Sequence, residues 1–220
     1  MGKQWVRQQI KKNEIQDAVD RILRWVASNR RTAGIAAAAA AGVILLGGLS
    51  IYSYRARQSA AWDQFSLANA YAYQGQTDEA LKKVEGLNAQ YPSAAATGYA
   101  LLFAGELLYQ KERFPESAKY YKQLLDRGQP QTLLPFALEG LGMAQEAMAQ
   151  CAEASQTGER FLQTYPDHFL APQAHASLAR CQITMSQAAA AKATLQKMVI
   201  QYPETSWASW AQEKLKTLGT

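Results

Sequence analysis

A register of 37 residues restricts this chain more than any other feature. Gln90-Tyr91-Pro92 returns as Gln201-Tyr202-Pro203, with Thr164-Tyr165-Pro166 between them. Pro92 and Pro166 are 74 residues apart and Pro166 and Pro203 are 37 apart, which leaves one slot at 129, and Pro130 stands beside it. A fixed period of this size is the mark of stacked supersecondary units. The register holds four times. Small residues align at Ala68, Gly105, Gly142 and Ala179, and twelve positions later at Ala80, Ser117, Ala154 and Ala191. Seven further on the column is large and apolar: Leu87, Leu124, Phe161 and Met198.

Helix packing explains such columns. Two antiparallel helices that cross closely need a small side chain where their backbones approach and large apolar ones in the layer beside it. The proline stops the second helix of each pair. Tyr91, Tyr165 and Tyr202 are expected to cover that helix end with a ring while the hydroxyl reaches water. The second unit has Gly128 in place of the tyrosine, so its turn should differ. Helical periodicity breaks once within each unit, at 75–80, 111–118 and 148–154, giving arms of about 14 residues, with Pro115 in the first turn of its helix. After Pro203 an amphipathic helix with Trp207, Trp210 and Leu215 inward and Gln212, Glu213, Lys214 and Lys216 outward is suited to cap the stack. The expected fold is all-α: a transmembrane helix, an α-solenoid of about four helix pairs over 58–203, and a capping helix over 204–220.

The span rests on residues 33–54, 22 positions without a charge. At 1.5 Å per residue this makes roughly 33 Å of helix, enough to cross a bilayer. Tyr52 and Tyr54 lie where an interfacial belt would sit, and Arg30, Arg31, Arg55 and Arg57 close both ends. The alternative is an alanine-rich soluble helix. The long basic segment ahead of the run and the lack of a cleavage site argue for a retained anchor over 32–54. Residues 1–31 carry eight Lys/Arg against three Asp/Glu, and the flank after the run adds two arginines, so the positive-inside rule puts the N-terminus in the cytoplasm and the repeats outside it. Within 1–31, Ile15, Ala18, Val19, Ile22, Leu23 and Val26 recur at helical spacing, away from Lys11, Lys12, Arg21 and Arg24. That pattern fits a helix on an anionic leaflet, and equally a solvated stub whose charges fix topology. Residues 58–220 hold 13 basic and 15 acidic groups, which argues against nucleic-acid binding.

The Leu141-Gly142 and Ala104-Gly105 pairs, Tyr71 three residues after Ala68, the small residue twelve on and the terminal proline resemble tetratricopeptide repeats lengthened to 37 residues. That resemblance covers 58 to about 208 and implies fold more than function. A short charged cytoplasmic segment, one span and such repeats resemble the family of the ancillary subunit of the SecYEG translocon. The likeness implies a single-pass protein of the bacterial inner membrane with a periplasmic repeat domain that assists exported chains. By the repeat family's pattern the first helices line a groove, here Trp62, Phe65, Tyr73, Tyr99, Leu102, Tyr109, Phe136 and Met143, with the more polar Gln173, Ala176, Arg180, Ile183 and Thr184 from the fourth unit. Either these rings form an exposed binding patch, or tight coiling makes several of them core. The family's clamp for acidic peptide tails is absent, since Asn69 and Arg180 stand alone.

Chemistry is sparse. His168 and His175 lie seven apart, too far to share a metal, and neither has a Cys or carboxylate partner at ligand spacing. No phosphate-cradling loop or nucleophile motif occurs. An enzyme, a cofactor and a small-molecule substrate are therefore not expected. Cys151 and Cys181, 30 residues apart, would close a loop worth roughly 3–4 kcal/mol if oxidised, or pack as buried thiols. The expected function is polypeptide binding with chaperone-like character, the partners being Sec translocon subunits and unfolded exported proteins. The rival is a scaffold that docks one envelope-assembly or division component.

Overall fold

The computed structural model describes residues 16–218, so the expectations placed on Lys11, Lys12 and Ile15 lie outside the described residues. Among the described residues there are helices and short connections, with no strand. Helix α1 covers 16–28 and, after a break at Asn29, α2 runs Arg30–Tyr73 for 44 residues. The chain divides into two compact units, Met1–Ala56 and Arg57–Thr220, with the boundary inside α2.

In the first unit, α1 leaves Val19, Ile22, Leu23 and Val26 exposed. The apolar window of α2 has a mean hydropathy of 2.1 over 18 residues with none of it buried. Its alanines favour helix intrinsically, and by length and composition it can cross a bilayer.

The second unit begins with the last turns of α2 and continues through α3 (Thr77–Gln90), α4 (Ala95–Gln110), α5 (Phe114–Arg127), a 3-10 turn (Gln131–Leu133), α6 (Leu134–Ala147), α7 (Cys151–Thr164), α8 (Ala171–Thr184), α9 (Ala188–Gln201) and α10 (Ser206–Leu218). Helices consecutive in the chain from α3 onward pack on one another, and the first helices α4, α6, α8 and α10 also touch in succession. The predicted columns form the core. Ala68, Ala80, Ser117, Leu124, Ala179, Ala191 and Met198 are fully buried, and Leu87, Phe161 and Ala154 nearly so. Trp207, Trp210 and Leu215 pack on the last core cluster, Ala176, Ala179, Leu195, Met198 and Ala211. Lys214 is half-buried, unlike the exposed Gln212, Glu213 and Lys216.

Two backbone devices repeat at the same period. Between the helices of each pair a residue adopts the left-handed conformation: Gly75 at φ 77°, Glu112 at 59°, Ala149 at 59° and Ser186 at 60°. The N–H of the following residue then donates to a carbonyl five residues back, Gln76 to Tyr71, Arg113 to Leu108, Gln150 to Gln145 and Gln187 to Gln182. This is a helix C-terminal motif that satisfies otherwise orphaned carbonyls. At the far end of each second helix the cap N–H of Tyr91, Gly128, Tyr165 or Tyr202 donates to Leu87, Leu124, Phe161 or Met198. The tyrosines sit near φ −128°, whereas Gly128 is left-handed at φ 71°, so the second turn does take another shape. Tyr202 departs from expectation: its hydroxyl lies 3.0 Å from Nδ1 of the buried His175 instead of reaching only water.

Glycine matters most around one ring. A β-carbon on Gly105 would lie 2.6 Å from Tyr121 Cε1, and one on Gly140 would lie 2.4 Å from Tyr121 Cζ. Tyr121, 3% exposed, thus fills the space that two first helices leave open. Between pairs, Arg113 joins Asp78 at 2.8 Å while also holding Glu116 of the adjoining α5 at 2.7 Å, and Arg127 donates to the carbonyls of Pro92 and Ala94.

Two substitutions separate these effects in thermal melts of the full-length protein in detergent. Gly140→Ala should destabilise by about 2 kcal/mol, because the added methyl would lie 2.4 Å from Tyr121 Cζ and force the ring out of its packed position. Ala149→Gly should stabilise by about 1 kcal/mol, because the left-handed backbone costs an L-residue that much.

Candidate functional site

The 37-residue register sets first-helix residues in columns that cross the units. Trp62, Tyr99, Phe136 and Gln173 form one, Phe65, Leu102, Glu139 and Ala176 a second, and Asn69, Glu106, Met143 and Arg180 a third. The first column starts as a ladder of rings: Trp62 and Tyr99 lie 5.3 Å apart between centroids, braced by Phe65 at 5.9 Å from Trp62 and by Phe103 at 5.8 Å from Phe65. Such tilted and edge-on pairs are the favoured aromatic geometries.

Further along, the rings give way to a pocket of about 220 Å³ between α4, α6 and the start of α8. Phe136, Met143 and Leu170 are its apolar walls, Tyr109 and Tyr121 contribute rings, and Glu106, Gln110, Glu139 and Gln173 are its polar groups. Phe136 is held edge-on against His168 at 5.6 Å, and His168 stacks on Phe169 at 4.5 Å. Gln173 donates to Met143 Sδ at 3.1 Å.

The predicted groove residues therefore separate. Tyr109, Phe136 and Met143 line the pocket, while Trp62, Phe65 and Tyr99 build the ladder. Leu102 is half-buried against the main core, as are Phe65 and Tyr109. Tyr73, 93% exposed at the end of α2, belongs to neither. None of the eight is fully buried; Phe65 and Tyr109 pack on the core and also take part in the ladder and the pocket, while Leu102 packs on the core alone.

Sequence reasoning missed the acidic members. Glu139 occupies the otherwise apolar column of Phe65, Leu102 and Ala176, which was the available signal, whereas Glu106 stands in the mixed column of Asn69, Met143 and Arg180 and gave none. Glu139 is half-buried, and loss of water around it pushes its pKa up to about 7, opposed by a hydrogen bond from Gln173. Loss of part of its water likewise raises Glu106, although that residue is exposed. The nearby Arg180 is already committed: it donates to Glu146, which also accepts from Ser177 at 2.6 Å. Neither Glu106 nor Glu139 is in a salt bridge among the described residues.

The other singled-out residues sit elsewhere. Cys151 and Cys181 come together with Ala154 and Met185 in one buried cluster as free thiols. Burial, then the Cys151 thiol, pushes Cys181 up to about 12, so at neutral pH it is a weak nucleophile. Among the described residues no three His, Cys, Asp or Glu side chains converge as a metal site would require.

A tetratricopeptide-repeat family model matches residues 177–205. The fold is shared with a tetratricopeptide repeat protein from Parabacteroides merdae at 14% identity and a TM-score of 0.61, over 73% of this chain and 60% of that one. It is shared too with a putative kinesin light chain from Podosopora anserina with nearly identical TPR-like repeats, at 18% identity and a TM-score of 0.56, over 73% and 86%. YrrB, a TPR protein with an unusual peptide-binding site, aligns at 16% identity and a TM-score of 0.51 over 70% and 78%. Against curated proteins the sequence finds no match. At these identities the likeness establishes a tetratricopeptide-type helical stack.

The raised pKa of Glu139 has a stability consequence with a definite sign. A carboxyl that binds its proton more tightly folded than unfolded loses stability as pH rises from the unfolded value near 4.5 through about 7. Its neighbours across the packed elements are Glu146 on its own helix, Arg180 and Gln173 on α8, Glu106 and Tyr109 on α4, and Tyr121 on α5. Glu139→Gln should therefore melt close to the parent at pH 5 and about 2–4 °C above it at pH 8, equivalent to on the order of 1 kcal/mol.

Proposed function

We propose that this protein is a membrane-anchored, chaperone-like polypeptide-binding accessory of the Sec translocon. It spans the bacterial inner membrane once through residues 32–54 and presents the repeats of 58–203, capped by 204–220, to the periplasm. The observation that carries this reading is the continuous first-helix surface, where the ladder of Trp62 and Tyr99 leads to the pocket walled by Tyr109, Phe136 and Met143. Rings and a thioether offer contact area without demanding hydrogen-bond geometry, which suits extended segments of many sequences. The resemblance in layout to the translocon's ancillary subunit supplies the cellular setting, and the excess of Lys/Arg before the apolar window supports the orientation. Exported chains emerging unfolded would meet such a surface before they bury their own apolar residues.

The test is photocrosslinking in living cells from a photoreactive residue at position 109, with exposed Glu153 on α7 as the control site. Many exported precursors together with translocon subunits, captured at 109 and not at 153, are the expected result. One dominant envelope protein at 109 would make the protein a dedicated scaffold instead, and adducts at both sites alike would remove the groove from the mechanism.

A further inference from the structure

Resting on the polypeptide-binding reading above, we infer that the pocket between α4, α6 and α8 is a subsite for a basic side chain of the bound polypeptide, a lysine or arginine whose charged head meets Glu139 and Glu106. The argument begins with charge. The pocket is lined by two carboxylates and by no Lys or Arg. Glu139 is supported by Gln173 and, at longer range, by the charge of Arg180, whose guanidinium is itself paired with Glu146 of α6. A half-buried carboxylate without a cation is costly in the free protein, and a ligand cation recovers that cost on binding. A carboxylate in a water-poor site also makes a stronger charge-assisted hydrogen bond than one on an open surface.

Shape agrees with charge. Phe136, Met143 and Leu170 form an apolar sleeve around the acidic groups, and a basic side chain lays its methylene stem on such surface while its head seeks polar partners. The ring of Tyr109 lines the same space and adds an aromatic group that attracts a cation. Charge sets the site apart from the neighbouring ladder, which has no acidic member: the ladder accepts rings and aliphatic groups, and the pocket, in register with it along the first helices, accepts the basic residue.

The experiment uses the full-length protein in phosphatidylcholine nanodiscs, whose zwitterionic lipid does not attract a cationic peptide, with empty nanodiscs subtracted. Isothermal titration compares three capped peptides, Ser-Leu-Ala-Phe-X-Phe-Ala-Leu-Ser, with X as lysine, norleucine or glutamate. Lysine should bind about tenfold more tightly than norleucine, and glutamate more weakly than either. The lysine-to-norleucine ratio should fall to within about twofold in the Glu106→Gln and Glu139→Gln double variant and persist in Glu153→Gln. Equal affinity of the lysine and norleucine peptides in the parent would overturn the basic subsite while leaving peptide binding standing. A ratio that survives in the double variant would also overturn it, by placing the preference elsewhere. Absence of binding by all three would bring down the polypeptide reading together with the subsite.

Discussion

Everything in the repeat domain depends on how closely the first helices approach the second, and that closeness is decided by side chains that are missing. Gly105 and Gly140 lie on successive first helices, and the ring of Tyr121 from the helix between them occupies the volume both leave free. Gly98 does the same for Pro130, whose Cδ would lie 2.3 Å from a β-carbon there. In the first and fourth units alanine suffices: Ala68 and Ala179, fully buried, stand in the column of Gly105. Close-packed interiors tolerate little change of volume at such points, so the second and third units carry the tightest joints of the domain. The same ring that closes the joint is also a wall of the pocket, which ties the precision of the site to the packing beneath it.

The columns of small and large residues were legible in the sequence because every unit must solve the same volume problem at the same place. The turns between paired helices were legible as breaks but not as geometry. Gly75, Glu112, Ala149 and Ser186 share one left-handed conformation, yet only the first advertises it, since the cost to an L-residue is small enough for the helix-ending hydrogen bonds to offset. Polar pairs inside the core were also hidden. Thr157 donates to Gln145 at 2.7 Å and Thr194 to Gln182 at 2.8 Å, again 37 residues apart, where the second unit has Tyr120 and Leu108. The run of α2 past Tyr54 was missed because charge ends an apolar stretch without ending a helix, and from Ser53 to Tyr73 nothing breaks one: the stretch has neither Gly nor Pro.

For the site, the rings and Met143 could be read from their helix and register, whereas the acidic residues could not be found by looking for apolar character. Glu139 stands in a column filled elsewhere by Phe65, Leu102 and Ala176, so it becomes visible only once the columns are aligned and the exceptions examined, whereas Glu106 shares a mixed column with Asn69, Met143 and Arg180. The ladder and the pocket represent two kinds of recognition. Stacked rings discriminate weakly among apolar groups, while a carboxylate in a poorly hydrated site discriminates by charge.

The apolar interior of the repeat domain is uneven along the stack, its clusters being joined through the partly buried Leu125 and Tyr202. A large cluster runs from Ala68 through α6 to Ala144, a separate one joins Ala176, Ala179, Leu195, Met198 and Ala211, and between them lie only the small groups around Phe161 and around the two cysteines. In a linear stack, cooperativity passes from unit to unit through such interfaces, so a thin one acts as a seam in the folding free energy. The last helices can open at lower cost than the middle of the stack, and amide exchange would detect this as two protection levels that meet near α7. The rings and the walls built from α4 and α6 lie on the persistent side of that seam, while Leu170 and Gln173 come from the side that opens first.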